Sequence, residues 1–270
     1  MASPPLAHVV AHTVRAQIRD RTQTVINAGT GVGVAIVGPI ALITHEHWRT
    51  AWIVFAVICA LVTIWAACAV PSGPTNRFRT GRPDAVFPRP LLPPGSGRLV
   101  TAAALMGAGS SAIWTFGRDV LITAGGMSES ASSIAWIVLG VFVVLGAAAG
   151  DLSRLGIRAS WTATMLIMAT ATALLAAYPG IPAVAWPASA AFGAAYIALT
   201  GLLLIWGTKV YHQAPAAGVG SAFLIIALGQ AAGAPVIGIL SENTEPLIAF
   251  MAAAAIAALG ALIRPAAPGT

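Results

Sequence analysis

Apolar residues in this chain gather into eight long runs, separated by short polar turns and one long proline-rich connector. The runs lie at about 25–44, 51–70, 99–122, 132–150, 160–178, 182–207, 217–240 and 246–263. Each is near the ~20 residues that a helix needs to cross a bilayer core. The stretch before them, 1–24, is moderately apolar and then basic through Arg15, Arg19 and Arg21. The connector 71–98 carries many prolines with Arg77, Arg79, Arg82, Arg89 and Arg98. Such a segment buries little and reads as a linker between two helical bundles. The first run holds Gly29, Gly31, Gly33, Gly38 and Pro39. In a soluble helix these would be costly. In lipid, glycines admit close helix contacts and neighbouring helices absorb a proline kink.

Composition sharpens the picture to an all-α membrane protein of eight transmembrane helices. Hydrophobic residues make up 58% of the 270 and charged residues 8%, and the mean hydropathy is +0.86. A soluble domain is about a quarter charged; this chain would expose too much apolar surface to water. The net charge of +6 is not clustered as a nucleic-acid-binding face, so no nucleic-acid partner is expected. Residues 1–24 lack the apolar core and small-residue cleavage site of a signal peptide. Cys59 and Cys68 lie nine residues apart on one predicted helix, pointing to opposite faces, which excludes a disulfide between them.

Charge placement fixes a topology. If residues 1–24 define side one, then 71–98, 151–159, 208–216 and the C-terminus share it, and 12 of the 14 basic residues fall there. Side-two turns hold Arg49 against Glu46, Glu129, Glu242 and Glu245. Short loops rich in Lys and Arg stay cytoplasmic, so side one, with both termini, is expected inside an inner membrane crossed many times.

An internal repeat accompanies this pattern. Gly33, Gly38 and Pro39 are matched by Gly229, Gly233 and Pro235, and the helices that follow end at Pro71 and Pro265. The offsets, 196 and 194 residues, suggest a parallel repeat of about six spans. The stretch G-V-A-I-V-G-P at 33–39 resembles the glycine-proline signature on the fifth span of major facilitator superfamily transporters. N-A-G-T-G-V-G at 27–33, W-T-F-G-R-D at 114–119 and G-Q-A-A-G-A-P at 229–235 resemble its bacterial YbfB/YjiJ-like branch. The loop motif Gly150, Asp151, Arg154, Gly156 and Arg158 is similar to the facilitator loop between the second and third spans of a half. Here the acid precedes Leu152 instead of following it and one base closes the motif.

The resemblance implies major-facilitator-type bundles divided as follows. Residues 1–24 are a cytoplasmic tail or the end of a fourth span, and 25–70 are the last two spans of the N-terminal half. Residues 71–98 are the cytoplasmic linker, 99–264 a complete six-helix C-terminal half, and 265–270 a tail. Four spans have no counterpart, so the chain is expected to be a truncated form that does not transport alone unless a second chain supplies the missing helices. The implied function is secondary transport of a small solute by alternating access, coupled to protons. The Gly38-Pro39 signature is associated with antiport and so points toward efflux; its other reading is a kinked span with small-residue packing.

Candidate site residues follow, each with a plainer alternative. Arg118 and Asp119 are the ionisable pair within a span; one such group costs about +2.5 to +3.5 kcal/mol at mid-bilayer. Ser111, Trp114, Thr115 and Arg118 share a helical face that suits a water-filled cavity for solute or protons. The alternative is anchoring, because Arg118 lies ~29 Å along from Leu99 at ~1.5 Å per residue. Protonation of an acid such as Asp119 would bias the alternating states. Asn27, Tyr196, Thr200 and Gln230 are further polar groups in the spans, lining a pathway or joining helices by hydrogen bonds worth about 0.6 kcal/mol each.

Enzyme signals fail. His8 and His12 have zinc-like spacing, but H-V-V-A-H lacks the glutamate that activates water. Gly29, Gly31 and Gly33 fit no dinucleotide-binding register. No second in-membrane carboxylate accompanies Asp119. No cofactor, metal or catalytic residue is expected. The partners expected are the lipid bilayer, a small solute and protons. A non-transporting scaffold or receptor derived from a transporter is the other reading, and a membrane-embedded enzyme a further one.

Overall fold

The computed structural model describes residues 47–69, 92–148 and 156–265, with the isolated positions 29, 33, 36, 40 and 44. Seven helices occupy the described residues, and no strand is found there: α1 (Trp48–Ala69), α2 (Ser96–Thr123), α3 (Glu129–Ala148), α4 (Ile157–Ala177), α5 (Pro182–Val210), α6 (Pro215–Asn243) and α7 (Pro246–Gly260). Six are long and apolar enough to cross a membrane. The seventh, α7, has 15 residues, and backbone bonds of Leu262 to Leu259 and Ile263 to Gly260 carry the turn onward. Of the first predicted span only Gly29, Gly33, Ile36 and Ile40 (helical) and Thr44 (a turn) are described. Asn27, Gly38, Pro39, Gly150, Asp151 and Arg154 lie outside the described residues, as do the tail 1–24, most of the connector and 266–270.

Helix boundaries follow local chemistry. Pro182, Pro215 and Pro246 open α5, α6 and α7, where a missing N–H costs nothing and φ is already helical. Pro93 and Pro94 block a helix, and Gly95 then turns with φ 88° into α2, a conformation that glycine adopts without strain. The helix therefore begins at Ser96, slightly inside the segment assigned to the connector. At the same end of the bundle, Trp161 Nε1 donates to Gly260 O (3.0 Å) and Thr162 Oγ1 to Ala261 O (3.2 Å). At the end of α7, where carbonyls lack i+4 partners, these α4 side chains add a second donor to Gly260 O, which also accepts from Ile263 N, and supply one to Ala261 O.

Helices α2–α7 form one bundle whose two triplets interlock reciprocally. The first helix of one triplet, α2, lies along α6 and α7; the first of the other, α5, lies along α3 and α4. This exchange is what two structural repeats of three helices produce. Glycines permit the closest crossings. A Cβ on Gly107 would come 2.3 Å from Ile226 O across the α2–α6 contact, and one on Gly193 would come 2.3 Å from Leu139 O across α3–α5. With no hydrophobic drive between helices in lipid, such backbone contacts supply the packing. By contrast α1 buries none of its membrane-length window, whereas α5 buries 67% of its own. Trp52 and Trp65 of α1 are 68% and 71% exposed.

Alternate crossing sorts the charges. The start of α2, the start of α4, the end of α5 and the segment after α7 share one end, where Arg98, Ile157, Lys209 and Pro265 line a common cavity. At the other end the turn at Gly125 touches Pro179 and Gly180. That second end carries every acid of the bundle's described residues, namely Asp119, Glu129, Glu242 and Glu245.

Candidate solute-binding site

Three polar side chains meet at the middle of the bundle. Gln230 Nε2 donates to Ser110 Oγ (3.2 Å) and to Tyr196 OH (3.2 Å). The midpoints of α2, α5 and α6, taken from their boundaries, fall at residues 109–110, 196 and 229. The cluster thus lies at half-height on all three helices, the level at which transporters of this general build place their sites. Ser110 also donates to Gly107 O (2.9 Å), so its oxygen is held in position to accept from Gln230. Gln230 is half-buried and its carbonyl oxygen has no partner among the described residues.

An aromatic group covers the cluster on its acidic-end side. Trp114 lies one turn beyond Ser110 on the same face of α2, and meets Tyr196, Trp136 and Phe192 edge-on, with centroids 5.1, 5.8 and 5.9 Å away. Phe192 and Tyr196 stack at 6.1 Å. Edge-to-face rings at these spacings attract through their quadrupoles as well as their area. The Trp114 indole Nε1 is buried without a hydrogen-bond partner. A buried N–H left unpaired is costly, so this donor is a natural contact for an acceptor on a bound molecule.

One further turn out is Arg118, which pairs with Glu129 at the start of α3, while its Nε contacts Ser132 Oγ at 3.4 Å. The two charged side chains are 44% and 73% exposed, so the pair caps the cluster toward solvent without being sealed. Ser110, Trp114 and Arg118, at four-residue spacing, form the stripe on α2 that faces α3, α5 and α6.

The residues singled out from sequence are distributed unevenly. Trp114, Arg118, Tyr196 and Gln230 come together around this cluster. Ser111 is buried but donates to Ala108 O (2.7 Å) and lies against Gly233 of α6. Thr115 and Asp119 are exposed, and Asp119 engages Thr123 through its backbone carbonyl. Thr200 is buried and bonds back to Tyr196 O (2.9 Å). Gly229 and Gly233 face Ala104 and Ala108 of α2, so the close contact they make is internal to this bundle. Pro235 lies inside α6. Gly33 is exposed, with nothing among the described residues within 4 Å of an added Cβ. Gly156 caps α4 with φ 86°, and Arg158 is exposed.

Five site residues were not anticipated: Ser110, Glu129, Ser132, Trp136 and Phe192. The four-residue spacing from Ser110 through Trp114 to Arg118 is the signal that could have found the first. Glu129 reads from sequence only as a turn acid, and its role depends on where α3 starts.

The family described as "Uncharacterised MFS-type transporter YbfB" matches residues 6–265. No curated protein matches the chain.

Proposed function

The chain belongs to the family of YbfB-like MFS-type membrane transporters, and from that membership we propose that it is a secondary active transporter of a small organic solute without net charge. The solute binds at the Ser110–Tyr196–Gln230 cluster and reaches either side by alternating access. The observation that carries this reading is the meeting of three polar side chains at the midpoints of three membrane-length helices. Around them Gln230 offers an acceptor and Trp114 a donor, within an aromatic wall. No Asp, Glu, Lys, Arg or His of the described bundle lies at that level. A solute bearing full charge would lose its hydration there with nothing of opposite sign to replace it.

The exposed faces of α3 and α6 complete the proposal. Val141, Leu145, Leu228 and Val236 are 42–60% exposed, and a second bundle rocking against these faces closes the cluster first to one side and then to the other. The base-rich end of the bundle is cytoplasmic and the protein lies in the inner membrane. Proton coupling is assigned to the acids nearest the cluster, Asp119 and Glu129, at the acidic end. Exchange of solute against protons makes export the working direction.

A binding screen in detergent tests the site without requiring turnover. Uncharged solutes with one donor and one acceptor are expected to raise the melting temperature of the wild-type protein, and Gln230→Leu to abolish the shift. A panel in which only charged solutes bind, or in which the Gln230 variant binds as well as the wild type, refutes the assignment. Coupling is read separately, by acidification accompanying flux in proteoliposomes. Loss of that signal in Asp119→Asn or Glu129→Gln supports proton exchange, and its persistence in both removes it.

A further inference from the structure

A second site lies at the other end of the bundle. There a cavity of about 450 Å³ opens between the starts of α2 and α4, the end of α5 and Pro265. Trp206, Ile157 and Val210 form apolar wall, and the charged or ionisable side chains that line it are Arg98, Lys209 and His212. No carboxylate of the described residues lines it. All three polar side chains are exposed, and none makes a hydrogen bond or ion pair with a described residue. The contrast with Arg118, which pairs with Glu129 at the other end, is direct.

We infer that this cavity binds the phosphate-bearing headgroup of an anionic phospholipid, with Arg98, Lys209 and His212 holding the phosphate and the apolar wall receiving the glycerol end of the acyl chains. Two physical features favour a lipid over a free anion. The cavity lies at the headgroup level, since the spans that border it end or begin there, and the walls are predominantly apolar side chains. Trp206 is 4% exposed and packs edge-on against Trp161 at 6.0 Å, which fixes it as a rigid apolar wall. Cations gathered near a membrane surface each strengthen binding to anionic lipid by about fivefold. A guanidinium, an ammonium and an imidazole converging on one cavity offer a phosphate more donors than any single basic residue would.

Native mass spectrometry of the purified chain, titrated with phosphatidylglycerol and with phosphatidylcholine, tests the inference. The anionic lipid is expected to bind at least tenfold more tightly. Arg98→Gln and Lys209→Gln should each weaken it about fivefold, with a smaller loss for His212→Gln. Arg158→Gln, an exposed base outside the cavity, should leave it within twofold and so controls for bulk charge. Equal binding of the two lipids, or an Arg158→Gln loss as large as that of Lys209→Gln, overturns the site. Displacement of the lipid by millimolar inorganic phosphate overturns the lipid assignment in favour of a soluble anion.

Discussion

The α2–α6 and α3–α5 contacts are built by the same means and used for different ends. In both, a glycine removes the Cβ that would otherwise strike the opposing backbone: Gly107 and Gly229 in the first, Gly193 in the second. In both, the helices approach closely enough for main chains to touch. The first contact then places polar side chains, Ser110 and Gln230, at its midpoint. The second fills the equivalent level with Leu139, Val143 and Phe192, all buried. From the second pair, Tyr196 reaches Gln230 by a hydrogen bond, while Trp136 and Phe192 meet the first only through ring contacts with Trp114. Close packing is therefore common to the two contacts, whereas hydrogen-bonding capacity is concentrated on one of them. The solute site we propose lies where the symmetry of packing is kept and the symmetry of chemistry is broken.

The sharpest test of the shared part is a single methyl group. Gly107→Ala and Gly193→Ala each introduce a Cβ at 2.3 Å from a backbone oxygen, which no side-chain movement can relieve. Both should cost about 3 kcal/mol or more, at the top of the range for overpacked cores, seen as loss of the monodisperse peak in thermal size-exclusion chromatography. Gly201→Ala is the control. Nothing lies within 4 Å of its added Cβ, so alanine's higher helix propensity should leave it neutral or up to about 1 kcal/mol more stable. If Gly193→Ala were tolerated as well as Gly201→Ala, the equivalence of the two contacts would be lost.

The broken part is tested by function at near-constant stability. Gln230→Leu removes two hydrogen bonds, each worth only about 0.6 kcal/mol between membrane helices. The protein should therefore fold with a melting temperature within a few degrees of wild type, yet lose solute binding by tenfold or more. A variant that binds normally would make the cluster a packing device like the α3–α5 contact.

How much of this could be read from the chain itself follows the same division. The apolar runs and their proline openings announce the helices, because membrane length and proline's missing donor are properties of local sequence. Gly229, Gly233 and Pro235 stand out for the same reason, but which helix they face does not. The partners Ser110 and Gln230 are 120 residues apart, and nothing in their local sequence joins them. The polar stripe on α2 was legible only to within one residue: Ser111, Thr115 and Asp119 are as polar as Ser110, Trp114 and Arg118, and only the positions of α3, α5 and α6 decide which set faces inward. Glu129 shows the other limit. As a turn acid it counts toward topology, and only the start of α3 at that residue turns it toward Arg118.

A smaller effect separates the outer pair from the cluster beneath it. Arg118 and Glu129 are partly exposed, so their ion pair should contribute within about 1 kcal/mol to stability. Glu129→Gln keeps the shape and removes the charge. Its melting temperature should stay within a few degrees of wild type while the acidification that accompanies flux weakens, because the carboxylate is lost without disturbing the packing of α2 against α3. A large stability loss would instead make the pair a structural clasp between α2 and α3.

The smallest expected change distinguishes the roles within the cluster. Tyr196→Phe deletes one hydroxyl and leaves Gln230 bonded to Ser110. The ring contacts with Trp114 and Phe192 remain, at 5.1 and 6.1 Å in the parent. Stability should fall by about 0.6 kcal/mol, and affinity by a few-fold, since Gln230 keeps its position but gains a free donor. If Tyr196→Phe matched Gln230→Leu in lost affinity, the hydroxyl itself would be the solute's contact. The asymmetry between the two contacts would then rest on α5 rather than on α6.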